Sequence, residues 1–248
     1  MKLAPVLLAL VMSTGIATST RQVEKYSLRR KDTAPAEMQY DFSFNLDFVT
    51  DPPGALEPRY LKGIVNVTRI NDSPKGGHTM RFEMTPLEAN FELKTGESGK
   101  QVFERRYDKD GKEVKSAFEL STKAEDSDTV SMSVGPSFDP PIRYVGIGEK
   151  WINVEDSNDN GKPVQETSVS ELIGIELVAG TKCFRIEQVT HSSDSTKVSS
   201  TATYWVRVSD GVGFKAKTIE KVKKQVDPTR SALVTFTAET TAIDGQNN

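Results

Sequence analysis

Between Met38 and Phe48 the chain alternates without a break. Met38, Tyr40, Phe42, Phe44, Leu46 and Phe48 are apolar, and Gln39, Asp41, Ser43, Asn45 and Asp47 between them are polar. Successive side chains of an extended chain point to opposite faces, so this period of two is the pattern of a β-strand buried on one side. Asp51-Pro52-Pro53-Gly54 stops the run. A second run, Tyr60 to Ile70, is closed by Asn71-Asp72-Ser73-Pro74-Lys75-Gly76-Gly77, a cluster with the composition of a turn or loop. Further strand-like runs fall at 79–84, 89–95, 101–107, 113–121 and 128–134. After a proline-rich break between Pro136 and Pro141 they resume at 150–154, 165–178, 182–191, 196–208, 212–222 and 229–242. Such spacing predicts an all-β protein with a strongly curved antiparallel sheet of about eleven or twelve strands and little helix. One domain is expected over 37–245, with two sheet halves meeting near 136–141. Helical spacing occurs only at Ile219, Val222 and Val226, and the lysines around them favour a strand with a charged outer face.

Two segments precede the first strand. Lys2 leads an apolar run from Ala4 to Met12, followed by Ser13, Thr14, Gly15, Ala17 and Ser19. This is the grammar of a signal peptide over 1–19, too short in its apolar part to span a bilayer. An exported protein, periplasmic or extracellular, with no transmembrane segment after cleavage is therefore expected. Residues 20–36 are polar and read as a leader with the composition of a disordered segment. Loss of Lys2 takes the net charge from −3 to −4, which gives no general attraction to nucleic acid. Cys183 is the only cysteine, so there is no intramolecular disulfide and no cysteine-based zinc site. Its setting, Cys183-Phe184-Arg185-Ile186, is that of a small buried hydrophobe.

Signals of reaction chemistry are weak. Asp156, Asn158, Asn160 and Gly161 match the opening of a calcium loop, but its twelfth position is Thr167 rather than a bidentate Glu. An Asn/Asp-Gly hairpin turn explains the same residues, and no metal is expected. His78 lies in a Gly-rich turn and His191 opens a Ser-Ser-Asp loop, both read as solvated. No G-x-S-x-G elbow or phosphate-binding loop occurs, and Gly146-Ile147-Gly148 lacks the third glycine of a dinucleotide site. Asn66-Val67-Thr68 matches a glycosylation sequon, more simply a chance match. The reading is of a protein that is not an enzyme and uses no cofactor.

The stretch Val145-Gly146-Ile147-Gly148-Glu149-Lys150-Trp151, the run from Ile173 to Ile186 and the run from Thr203 to Lys215 together resemble a set of exported bacterial β-rich proteins. These are similar to periplasmic lipoprotein carriers and lipid-binding lipoproteins. The resemblance implies a half-barrel with an apolar concave face, and it carries over no functional residue. Two functions follow as expectations. The first is a binding protein holding a lipid or other apolar ligand, lined by Tyr40, Phe42, Phe44 and Phe48 with Trp151 and Trp205 as flanks. The second is an envelope scaffold or interaction module with a self-filled core and a protein partner. Exposure of the aromatic stripe separates the two, since a cavity leaves it accessible and a core buries it.

Overall fold

A computed structural model describes residues 24–31, 34–51, 54, 56–72, 77–92, 99–108, 113–117, 140–159, 162–227 and 229–243. The proposed signal peptide, the expected strand at 128–134 and both Asn160 and Gly161 lie outside the described residues. Thirteen strands and no helix occur among those described, so no helix is long and apolar enough to cross a membrane.

Eleven strands form one antiparallel sheet. The first half is a meander of β2 (Glu37–Asp51), β3 (Arg59–Asp72), β4 (His78–Ala89), β5 (Gln101–Tyr107) and β6 (Glu113–Ala117). The second is a meander of β8 (Lys150–Asp159), β9 (Lys162–Val178), β10 (Thr181–Ser192), β11 (Lys197–Arg207), β12 (Gly213–Asp227) and β13 (Arg230–Ala242). The halves join through β2 and β13, the first and last strands of this sheet in chain order, in a register running from Tyr40 opposite Ala242 to Asp51 opposite Ser231. Among the described residues β6 and β8 are the edges, and the sheet is neither closed nor strongly curled.

Local chemistry explains most boundaries. The Val178–Thr181 pair closes on Ala179 and Gly180, both at positive φ (48° and 84°), the mark of the tight hairpin turn whose twist matches its strands. The 215–226 stretch is strand β12, as its lysine pattern predicts. The expected strand at 89–95 is corrected over its described part: β4 runs on to Ala89 and the chain bends at Asn90 and Phe91, while 93–95 lie outside the described residues.

Directly opposed residues share a face, so the register defines rows across the whole sheet. One row runs Trp151, Ser170, Gln188, Ala202, Thr218, Ala238, Phe44, Leu61 on the inner face. A neighbouring row on the outer face runs Ile152, Val169, Val189, Thr201, Ile219, Thr237, Asn45.

The leader requires a correction. Over 24–31 it is not a free polar tail. β1 (Lys25–Tyr26) pairs with β7 (Val145–Gly146), the Tyr26 ring lies 5.2 Å from Phe184, and Leu28 is completely buried. The Lys31 amide donates to the Asp210 carbonyl at 2.7 Å and its ammonium to the Ser209 carbonyl at 2.7 Å. Gly211 lets this segment approach: its φ is +72°, and a Cβ there would stand 2.1 Å from the Arg29 carbonyl oxygen.

Candidate functional site

The alternation in β2 puts Tyr40, Phe42, Phe44 and Leu46 on the inner face, where only 4–6% of each is exposed. Phe48 is half-buried against the same cluster. Opposite them on β3 stand Leu61, Gly63 and Val65, and beyond these on β4 and β5 lie Met80, Phe82, Met84 and Phe103. Gly63 has a packing role. A Cβ there would stand 2.6 Å from the Phe42 ring, so the missing side chain is the space over which that ring lies. Phe44 meets Phe236 at 6.2 Å, and Phe82 stacks on Phe103 at 4.8 Å. These separations suit aromatic pairs that pack against each other, ring upon ring.

The two tryptophans stand differently toward this stripe. Trp151 shares the row of Phe44 but stands on β8, six strands along, about 29 Å at the usual strand spacing in a flat sheet. It is buried in a second cluster with Leu28, Val145, Leu172, Phe184, Ile186 and Val206. Trp205 packs at the margin of the first cluster, yet it lies opposite Arg185 and Lys215, in the row that continues through Thr241 to Asp41 on the outer face. There its indole donates to Glu176 Oε1, and Lys215 Nζ sits 5.6 Å over the ring.

Polar groups at the rim of the first cluster tie it to the leader. Tyr40 donates to the Gly213 carbonyl at 3.0 Å, and burial pushes its pKa up to about 12 against the pull of Arg30 and Arg207. It is a neutral hydrogen-bond donor at neutral pH. Arg207 grips Asp210 through two bonds of 3.1 and 2.7 Å, and Asp210 Oδ1 also accepts the Val212 amide at 3.0 Å. Arg207 Nη2 reaches Met38 Sδ at 3.7 Å. Burial lowers the Arg30 pKa in the same neighbourhood. On β5, Arg105 takes an inner-face position, only 8% exposed, over the Phe82 and Phe103 rings at 5.4 and 5.9 Å. The alternation Phe103, Arg105, Tyr107 held the signal for this buried cation; that the arginine stands on the apolar parity was not read.

The other candidates separate. His78 is the first residue of β4 and stacks on Tyr107 at 5.0 Å, which corrects its reading as a solvated turn residue. His191 is exposed near the end of β10, six strands from β4, so the two histidines cannot share one site. Asp156 and Asn158 belong to strand β8, which pairs with β9 as far as Asp159 opposite Lys162, and Asp156 accepts from Gln165 Nε2 at 2.9 Å. The backbone here is a hairpin arm in place of a wrapped loop. Among the described residues no group of three or more His, Cys, Asp or Glu could hold a metal ion. Asn66 lies inside β3, held by Gln39 Nε2 at 2.9 Å, a strand interior and no loop. Cys183 is in no disulfide and is fully buried.

What the outer face offers instead is apolar surface at an edge. Ile152 (64% exposed) and Val154 (49% exposed) stand on β8, the last strand of the sheet. Fold and site define an all-β protein with one large antiparallel sheet, an aromatic inner face and, among the described residues, an apolar edge strand. No protein-family model matches the chain, and no curated protein matches it either.

Proposed function

We propose that this chain is an exported, non-enzymatic interaction module that fills its inner face with its own side chains and works through its sheet edge and outer face. The observation that carries this reading is the burial of Tyr40, Phe42 and Phe44 at 4–6% exposure beside the 64% exposure of Ile152 on an edge strand. A carrier needs the opposite distribution, because an apolar ligand must reach the rings that line its site. An unpaired edge is the standard site for strand addition, in which main-chain hydrogen bonds supply the affinity. Export rests on the signal grammar of residues 1–19.

A second reading has one observation in its favour. Arg105, buried over the stacked Phe82 and Phe103 rings on the inner face, suits a half-barrel carrier whose apolar ligand has an acidic head. It fits the resemblance to lipoprotein carriers. Native mass spectrometry of the mature protein, with uptake of fluorescent lipid analogues, decides between them. The interaction reading expects the mass of the bare chain or its multiples and no uptake. A stoichiometric apolar adduct that disappears in Arg105→Met would replace it with the carrier.

A further inference from the structure

We propose that β8 is a self-complementary edge through which two copies of this chain join their sheets around a two-fold axis at Asn153, an inference that rests on the interaction reading above. Among the described residues β8 has a strand neighbour on one side only. The Glu149 carbonyl turns inward and accepts the Leu172 amide of β9, whereas the Lys150 carbonyl takes Arg143 Nη2 at 3.2 Å. Backbone groups alternate in direction along a strand, so Ile152 and Val154, in phase with Lys150, turn their N–H and C=O groups outward. Their side chains share the outer face with Lys150 and Asp156.

The choice of partner follows from sequence complementarity. An antiparallel pairing of β8 with itself about Asn153 sets Ile152 against Val154 of the second copy and Lys150 against Asp156, and each pair occurs twice. A shift of the axis by one residue spoils this in either direction: Lys150 then faces Val154, or Ile152 faces Asp156. Only the register about Asn153 matches apolar with apolar and cation with anion. It also gives Ile152 and Val154, 64% and 49% exposed in the single chain, an apolar neighbour across the joined edge. A closed two-fold interface of this kind uses the same patch on both copies and buries both edges at once.

Sedimentation velocity of the full mature chain over a concentration series tests this. A reversible dimer is expected, and Ile152→Lys, which sets a cation against Val154, weakens it by about tenfold or more. Lys150→Asp weakens it likewise, and Asp156→Lys in the same chain restores it. That rescue is beyond any purely internal role of these side chains, since Lys150 pairs with Glu171 at 3.2 Å within its own sheet. Asn153→Cys provides a readout that survives weak association. On the axis the two cysteines face each other at about 4.5 Å between Cα atoms, within disulfide reach, so mild oxidation gives a covalent dimer. Val198→Cys, exposed on β11, does not. A monomeric mass at every concentration without the Asn153→Cys cross-link overturns the proposal, as does a dimer indifferent to Ile152→Lys and to the charge swap. A monomer with no lipid adduct removes the dimer and leaves the interaction reading standing. An apolar adduct removes the reading itself.

Discussion

The two buried clusters of this protein solve one problem in different ways. A sheet face rich in apolar side chains must be covered. In the second half the cover is an added layer: Tyr26 and Leu28 of the leader and Val145 of β7 lie on Phe184, Ile186, Val206 and Leu172. In the first half every buried member, among the described residues, belongs to a strand of the main sheet. Within it Phe42 lies over Gly63, and Phe82, Phe103 and Arg105 form a stack. A layer of separate chain can be peeled away, whereas rings that belong to the strands cannot. The first cluster is thus part of the sheet's own stability, and the second depends on a few contacts of a short terminal segment.

Truncation tests the difference most sharply. Phe44→Ala removes a ring from the self-covered cluster and should cost about 3–5 kcal/mol, read as a lower urea midpoint. The same argument turns charged substitutions at Phe42 or Phe44 into unfolding variants, so they cannot serve as clean probes of ligand binding. Leu28→Ala should cost about 2–5 kcal/mol by the same measurement if the leader belongs to the fold. A change within experimental error would return residues 24–31 to the status of a tail. Gly211→Ala strains a residue at φ +72° and drives a methyl into the Arg29 carbonyl. A loss of about 1–3 kcal/mol is expected, together with faster proteolysis near Arg29 and Arg30, where the leader must lift. Unchanged cleavage would mean that the leader docks without this contact.

The smallest effect is one of pH. Tyr40 has a folded pKa of about 12 against an ordinary 10.0, so folding favours its neutral form. The stability linked to it is fully present below pH 10 and is lost as pH rises through about 12, by roughly 2–3 kcal/mol. Alkaline difference spectra should show one tyrosine titrating near pH 12, and Tyr40→Phe should abolish that step. A tyrosine set that ionises entirely near pH 10 would show the rim of the first cluster to be open to water.

Much of this was legible beforehand, and what was not shares a cause. Strands β2, β3, β5 and β9 to β13 follow from period-two patterning, because side-chain alternation is a property of the extended backbone itself. The Ala179-Gly180 turn is local in the same sense. Alternation told which residues share a face with Tyr40, but not how far along that face a given residue stands. Trp151 was grouped with the stripe on residue type and proves to lie six strands away, since distance across a sheet is set by strand order. Trp205 has the opposite phase, visible only once Lys215, Thr241 and Asp41 are paired in register.

By itself, then, the sequence determined the all-β class, most strand positions and the two-sidedness of β2, all consequences of backbone geometry within a few residues. Tertiary structure alone decided the joining of β2 to β13, the docking of Leu28 and the exposure of Ile152 and Val154 at an edge. These depend on which distant segments meet, and a sheet face carries no local record of what will cover it.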